Sequence, residues 1–292
     1  MRPPVSDPFV EHRNLLFTVA YEMLSSAADA EDVVQETWLR WAEVDQAEVR
    51  DPRAYLVRIA TRQALNRMRT LERRRESYVG PWLPEPLLTT PDVADDVELA
   101  DSVSTAMLMV LETLNPTERA VFVLREVFGF DYAEIAAAVD KSEPAVRQIA
   151  SRAGKHVQAR RPRATPPEDT DDVLTRFLAA AAGGDLQGLM DVMAPDVVLF
   201  SDGGGLKRAA LRPIVGRDKV LRWLNGVMGR DGEMTVDVAQ VNGQPAIRFF
   251  LDGVLDVVAT ARFEGGVATE LYLVRNPHKL TRADKDVVHL SR

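Results

Sequence analysis

Residues 78–88 read Tyr-Val-Gly-Pro-Trp-Leu-Pro-Glu-Pro-Leu-Leu, and they divide the 292-residue chain between two helical blocks and a different C-terminal part. Three prolines and a glycine cannot continue a helix, because proline lacks an amide donor and restricts the residue before it. The stretch is therefore a stiff, extended linker. It also carries large apolar side chains at Tyr78, Trp82, Leu83, Leu87 and Leu88. So short a linker has no core of its own, and we expect it to lie against another surface.

Composition indicates a globular protein of two or three domains, with 46% hydrophobic and 27% charged residues. No apolar run approaches the roughly 20 residues that span a bilayer, and the N-terminal residues lack the apolar core of a signal peptide. We therefore expect a cytoplasmic protein without membrane contact. The chain has no cysteine and four scattered histidines, so we expect neither a metal site nor a cofactor. The net charge of −8 argues against indiscriminate coating of nucleic acid.

The first helical block, residues 8–77, contains a predicted amphipathic helix from Asp29 to Trp41. The predicted buried stripe consists of Ala30, Val33, Val34, Trp38 and Trp41. The opposite, acidic face carries Asp32, Gln35, Glu36 and Leu39. A solvated face and a binding surface explain this pattern about equally well.

A second feature of this block is an arginine-rich helix that starts at Asp51-Pro52. Eight arginines lie between residues 53 and 75 beside one acid, Glu72. The predicted outer face carries Tyr55, Arg58, Arg62, Asn66, Arg69 and Arg73. Guanidinium groups bind phosphates, and aromatic or amide groups beside them contact unpaired bases. A solubilising face would interleave acids at i+4, so the pattern favours nucleic-acid binding.

The second helical block, residues 92–160, contains a helix-turn-helix signature. Asn115-Pro116-Thr117-Glu118 predicts a capped helix start, and two short helices follow on either side of Asp140-Lys141. The outward stripe of the last helix carries Ser142, Pro144, Arg147, Gln148, Ser151, Arg152 and Lys155. Helical hairpins in bundles imitate this motif, but the one-sided positive charge favours a helix that reads the major groove.

These blocks resemble the extracytoplasmic-function (ECF) sigma factors of bacterial RNA polymerase. Residues 29–38 are similar to the family's polymerase-clamp-binding helix, residues 52–67 to its minus-ten segment, and residues 114–160 to its minus-thirty-five reader. The resemblance implies two all-α domains, a region 2 helical bundle and a region 4 helix-turn-helix, joined by the linker 78–91. It also implies two partners, promoter DNA and the polymerase core through its β′ clamp helices and β flap.

The resemblance also assigns residues to these roles. It implies that Asp29, Asp32, Gln35, Glu36 and Leu39 bind polymerase. The arginine-helix face would then capture a flipped base of the melted minus-ten strand. The outward stripe of the helix-turn-helix would read the minus-thirty-five duplex. No residue of these two blocks is expected to break bonds, so the chain is not expected to be an enzyme.

A second linker, residues 161–170, leads to a C-terminal domain at 171–280 and a tail at 281–292. The domain is predicted to be helical first and then strand-rich, with hairpin signals at Asn242-Gly243, Asp252-Gly253 and Gly265-Gly266. This α+β cone resembles the SnoaL-like members of the NTF2-like superfamily, and it leaves room for an unidentified small ligand.

Some members of that superfamily are enzymes, so Asp202, Asp256 and Arg248 are candidate catalytic groups. We favour a binding domain, since no histidine lies in the predicted strands to pair with a carboxylate. Arg248 and Asp256 could equally form a cross-strand pair.

Three further motifs resemble the J-type group, the sigma factors that carry this domain in the same chain. The first is the linker motif Trp82, Leu83, Pro84, Glu85 and Pro86. The second is the glycine motif Asp202, Gly203, Gly204 and Gly205, and the third starts at Asn276 and Pro277. Two positions depart from the group pattern: Leu206 precedes Lys207 where lysine is expected, and His278 replaces an aspartate.

We therefore expect an alternative sigma factor that its C-terminal domain regulates in cis, through contact between these motifs. The alternative is a ligand-sensing or enzymatic domain fused to a DNA-binding regulator that does not bind core polymerase.

Overall fold

The computed structural model describes residues 7–90, 97–160, 185–228 and 232–284, together with 173, 175–177, 179–180, 287–288 and 290. Only the backbone is described at residues 72–75, 97–98, 101, 186, 227–228 and 287. Within these ranges, no helix has both the length and the hydropathy needed to cross a bilayer.

The first helical block consists of α1 (Pro8–Leu24), α2 (Ala27–Ala42), a short 3-10 helix (Gln46–Glu48) and α3 (Pro52–Arg75). Its helix starts follow from local capping. Asp7 accepts from the Phe9 amide to start α1, and Asp51 accepts from the Ala54 amide at 3.0 Å to start α3. Ser25, in the left-handed region with φ 53°, ends α1.

The second helical block contains α4 (Val97–Val103), α5 (Thr105–Leu111), α6 (Pro116–Phe122), α7 (Tyr132–Val139) and α8 (Glu143–Gln158). Asn115 and Glu118 form the predicted capping box of α6. A π-helical turn at Val123–Val127 continues α6. Asp140 adopts φ 56° and makes the tight break between α7 and α8. The predicted helix-turn-helix is therefore confirmed.

The two helical blocks share one hydrophobic core rather than forming separate ones. The cluster runs continuously from Phe9 in α1 to Val157 in α8. It also includes Leu87 of the linker and Leu290 of the tail.

The C-terminal domain is built on one bent sheet. After helical turns at 173–180 comes α9 (Leu186–Asp191), and α10 (Arg217–Met228) and α11 (Pro277–Leu280) follow later. The strands are β1 (Leu88–Thr89), β2 (Met193–Asp202), β3 (Ile214–Val215), β4 (Met234–Val241), β5 (Gln244–Leu251), β6 (Val254–Glu264), β7 (Val267–Val274) and β8 (Val287–Val288). Their order is β3-β2-β7-β6-β5-β4-β1-β8. The expected α+β domain is confirmed, with the left-handed turn residues at Asn242, Asp252 and the glycine pair.

Strand β1 comes from the linker, so the linker is part of the C-terminal sheet. Leu88 pairs antiparallel with Val241 of β4 and parallel with Val287 of β8. Alternation along the strands gives the sheet two different faces. One face buries Val257, Leu271 and their neighbours under the domain's own helices. The other face buries Val241, Val258 and Tyr272 against the linker and the second helical block.

Candidate functional site

The acidic face of α2 is organised by one arginine from α3. The Arg67 guanidinium donates to Asp29 at 2.6 Å and to Asp32, and it lies 3.8 Å from the Glu36 carboxylate. These carboxylates raise the pKa of Arg67, although partial burial opposes them. Three of the five residues assigned to polymerase binding are therefore held in one ion-pair network.

The same face also presents apolar surface. Gln35 is exposed, and Leu39 retains 52% of its surface. The prediction that Trp38 lies in the buried stripe is wrong, since it is 46% exposed beside Leu39. Helix α2 is too narrow a wedge between α1 and α3 to bury Trp38 as well as Trp41. Acids that flank exposed Trp and Leu are typical of a surface that binds another protein.

The minus-ten face on α3 is partly covered within the molecule. Arg62, Asn66 and Arg69 are exposed, whereas Tyr55 and Arg58 are half-buried and stack on each other at 5.0 Å. The side chain of Arg73 lies outside the described residues. Tyr55 and Arg58 line an open cleft of about 970 Å³ beside the loop that follows α2. This cleft offers an aromatic ring and a guanidinium to a flipped base.

The helix-turn-helix closes over this face. The Arg62 guanidinium donates to the Ala137 carbonyl at 2.8 Å, at the C-terminal end of α7. Arg53 lies over the Phe130 ring at 4.3 Å. Glu134 of α7 forms part of the wall of the cleft. The second helical block therefore occupies part of the surface assigned to single-stranded DNA.

The recognition stripe on α8 points entirely to solvent. All seven assigned residues are exposed: Ser142, Pro144, Arg147, Gln148, Ser151, Arg152 and Lys155. Arg147 pairs with Glu143 one turn earlier and lies over the Tyr132 ring at 4.3 Å. This stripe could enter a major groove without rearrangement of α8 itself.

A buried arginine ties the two helical blocks together. Arg119 of α6 donates to the Glu22 carbonyl at 2.8 Å, to the Ser25 hydroxyl and to the Glu112 carboxylate at 2.5 Å each. Burial lowers its pKa to about 9, so it stays charged at neutral pH. Sequence reasoning missed Arg119, because a residue in a capped helix start gives no sign of long-range burial.

The linker and the glycine motif meet at the carboxylate of Asp202, which is fully buried. Asp202 Oδ1 accepts from the Tyr78 hydroxyl at 2.5 Å and from the Gly204 amide at 3.0 Å. Its Oδ2 accepts from the Leu83 amide at 2.9 Å and from Lys279 Nζ at 2.7 Å. We call this group of contacts the Asp202 latch. The structure thus brings together one residue from each of the three J-type motifs.

Lys279 supplies the positive charge of the latch. Its Nζ also donates to the Leu83 carbonyl at 2.5 Å and lies 3.8 Å from the centroid of the Trp82 ring. The Asn276 amide donates to the Tyr78 hydroxyl at 2.8 Å, and its oxygen caps the short helix α11. Attention to the departures at Lys207 and His278 had obscured Lys279 in the sequence.

The glycine motif is dictated by close approach. A Cβ on Gly203 would lie 2.2 Å from the Lys207 carbonyl oxygen, and one on Gly204 would lie 2.3 Å from the Asn276 amide nitrogen. Gly204 and Gly205 also adopt positive φ, of 59° and 74°. Any larger side chain here would push the loop away from the Asp202 latch.

Glu85 attaches the linker to the start of α2. Its Oε2 accepts from the Ala27 amide at 2.7 Å, and its own amide donates to the Ser25 carbonyl at 3.0 Å. Burial raises the pKa of Glu85, opposed by the amides of Ala27 and Ala28. The flanking Pro84 and Pro86 are buried as well. The linker glutamate therefore serves as an anionic cap on the helix assigned to polymerase binding.

The Asn242 turn between β4 and β5 is a second junction. The Asn242 amide donates to the Tyr21 hydroxyl at 2.6 Å and to the Val103 carbonyl at 2.9 Å. Its oxygen accepts from the Leu87 amide at 2.8 Å. One side chain thus contacts α1, α4 and the linker. The sequence indicated only a hairpin turn here.

Comparison with known proteins identifies the family. The Sigma-70 region 2 model matches residues 9–74, and the Sigma-70, region 4 model matches residues 104–157. The chain is 38% identical to the ECF RNA polymerase sigma factor SigJ of Mycobacterium tuberculosis, over 92% of this chain and 91% of that protein. The chain belongs to the ECF sigma factors of RNA polymerase. As such, it directs polymerase to promoters for the initiation of transcription.

The similarity extends through the C-terminal domain of this sigma factor. The crystal structure of M. tuberculosis SigJ matches with a TM-score of 0.76 at 35% identity, covering 94% of this chain and 97% of that one. A probable ECF RNA polymerase sigma factor of M. tuberculosis, SigI, is 33% identical over 95% of each chain. Sigma domains imply RNA polymerase and promoter DNA as partners.

The candidate catalytic groups of the sigma factor's C-terminal domain are all engaged in ion pairs. The suggestion that Arg248 pairs with Asp256 is wrong, since Arg248 pairs with Asp237, directly opposite on β4. Asp256 instead accepts from Arg275 at 2.5 Å and from Lys207 at 3.0 Å. Burial opposes ionisation of Asp256, but these two cations outweigh it and lower its pKa.

The tail of the sigma factor, at 281–292, also holds the linker. Val287 and Val288 form β8 alongside Leu88 and Thr89. Leu290 is buried in the core of the helical blocks. Since β8 follows the C-terminal domain in sequence, the tail fastens the linker strand from its other side.

Proposed function

We propose that the C-terminal domain controls this sigma factor in cis by holding the two DNA-reading domains in a closed arrangement. The observation that carries the proposal is the burial of the linker, since Leu83 and Leu87 have no exposed surface. The Asp202 latch, the Asn242 turn and strand β8 all hold the same linker. Release of the linker is therefore the opening step.

The geometry of a promoter supports this proposal. Elements centred at minus ten and minus thirty-five are about 25 base pairs apart, or roughly 85 Å at 3.4 Å per base pair. In the closed arrangement Arg62 of the minus-ten face touches the Ala137 carbonyl of the helix-turn-helix. The two faces therefore cannot reach both elements at once. An undocked linker of residues 78–91 would extend about 46–50 Å, which lets the two domains separate.

The finer contacts are proposed on the same basis. The face of α2 with the Arg67 network and exposed Leu39 binds the β′ clamp helices of polymerase. Tyr55 and Arg58 receive a flipped base of the melted minus-ten strand once the cleft opens. The α8 stripe reads the minus-thirty-five duplex beside the β flap. The C-terminal domain acts by binding rather than by catalysis, because Asp202, Asp256 and Arg248 are all paired.

A reversible disulfide tests the proposal in the full chain. The chain has no cysteine, and Leu88 lies directly opposite Val241 in an antiparallel pair, a spacing that a disulfide can bridge. Leu88→Cys/Val241→Cys should lock the linker into the sheet when oxidised. We expect transcription with core polymerase to fall at least tenfold on oxidation and to recover on reduction.

The two single-cysteine variants are the controls, since neither can form the lock. Equal promoter-specific transcription from the oxidised and reduced double variant, with disulfide formation verified by mass, would disprove cis control by linker docking. Failure of every form to bind core polymerase would contradict the sigma-factor interfaces themselves.

A further inference from the structure

The inner face of the C-terminal sheet encloses a cavity that the contacts with the sigma domains do not use. It occupies about 690 Å³, counted with its mouth, between strands β5–β7 and the side chains of Phe177, Leu189 and Leu224. Among the described residues its lining is hydrocarbon except at Thr260, whose hydroxyl donates to Thr105 on the opposite side of the sheet. A charged ligand would lose its hydration here without gaining a counter-charge.

The cavity continues into an exposed apolar stripe. Met234, Val236 and Val238 alternate along β4 and are 39%, 44% and 50% exposed. Val236 and Val238 lie opposite Phe249 and Ile247, which line the cavity. A rigid protein surface could cover the stripe but could not fill the cavity. An elongated small molecule fits both.

One polar atom at the end of this stripe has no partner. The amide oxygen of Gln240 is buried and makes no hydrogen bond to the residues that the structure describes. Gln240 follows the stripe at the same period of two, and it lies directly opposite Pro245, which lines the cavity. A buried acceptor without a donor costs about 1–3 kcal/mol, which a ligand hydroxyl would offset.

We propose that this cavity binds an uncharged, elongated apolar molecule with a hydroxyl group at one end, which donates to Gln240. The proposal rests on cis control by the C-terminal domain, because the Asn242 turn would report the occupancy. Gln240 and Pro245 flank that turn on its two strands. The turn itself holds Tyr21, Val103 and Leu87. A ligand that draws Gln240 inward therefore acts on the junction of all three domains.

Binding is tested on the full chain with Nile red as an uncharged apolar probe. We expect saturable binding of Nile red, and displacement by 1-decanol about 5- to 10-fold more effectively than by its methyl ether, which cannot donate. Gln240→Leu should keep Nile red affinity within about threefold and abolish the preference for the alcohol. Leu211→Gln, at an exposed position away from the cavity, is the matched control and should change neither.

Filling the cavity is the second arm. Ala259→Phe should abolish Nile red binding, and the smaller change Ala261→Leu serves if the first variant does not fold. Non-saturable binding, or wild-type binding by a folded cavity-filling variant, would overturn the site. A dimer that Val236→Lys dissociates, together with no probe binding, would assign the stripe to self-association instead.

Coupling is measured separately from binding. We expect 1-decanol to change transcription by wild-type protein at least threefold, and Asn242→Ala to abolish that response while Nile red still binds. A bound probe without any effect on transcription would refute the coupling. The cysteine lock would still test cis control independently, so the two failures are distinguishable.

Discussion

Lys279→Met should open the linker by removing the one cation that neutralises buried Asp202. Breaking a buried ion pair from one side costs about 3–5 kcal/mol, because the remaining charge is uncompensated. Asp202 keeps three donors, from Tyr78, Leu83 and Gly204. We therefore expect a loss near the lower limit, about 3 kcal/mol, which shifts the ratio of closed to open molecules on the order of 100-fold.

Hydrogen exchange measured by mass spectrometry reads this shift directly at the linker amides. The matched control is Lys207→Met, which also removes a lysine from a carboxylate. The Lys207 side chain is 42% exposed, and its partner Asp256 retains Arg275 at 2.5 Å. We expect less than about 1 kcal/mol from the control. Equal exchange of Leu83 and Leu87 in the two variants would refute the assignment of the latch charge to Lys279.

Three further predictions concern the linker, the minus-ten face and the recognition helix. Glu85 has a raised pKa when folded, so its contribution to stability is full below about pH 4.5 and is lost as the pH rises through the folded value; linker exchange should speed up over that range, and Glu85→Gln should remove this part of the pH dependence. Arg62→Ala should loosen the two helical blocks by at most about 1 kcal/mol in hydrogen exchange yet weaken binding of a melted minus-ten strand by holoenzyme, and unchanged strand binding would remove Arg62 from that face. Arg147→Ala should lower promoter affinity of the holoenzyme and reduce the slope of log affinity against log salt by about 1, and an unchanged slope would exclude a phosphate contact.

Features fixed by neighbouring residues could be predicted from the sequence. The capping box at Asn115 and Glu118 and the left-handed turn at Asn242-Gly243 each require a few adjacent side chains, and both formed as expected. The alternation of exposed and buried positions also placed the outward stripe of α8 correctly. Such features depend on backbone geometry that every chain shares.

Long-range partners could not be predicted in the same way. Lys279 was overlooked because its partner Asp202 lies 77 residues away, and no local pattern links them. Asn242 indicated a turn, but its side chain also serves three separate segments. Trp38 was placed inside by helical spacing, although the space between neighbouring helices decides how wide a stripe is buried.

The linker strand has a consequence for synthesis of the protein. The Leu87 amide must wait for Asn242, 155 residues later, before its partner exists. At about 5–20 residues per second, translation takes roughly 8–30 s to reach that point. Strand β8, which completes the pairing of Leu88, emerges last. Each nascent chain therefore displays finished DNA-reading helices on the ribosome for many seconds before its own restraint can assemble.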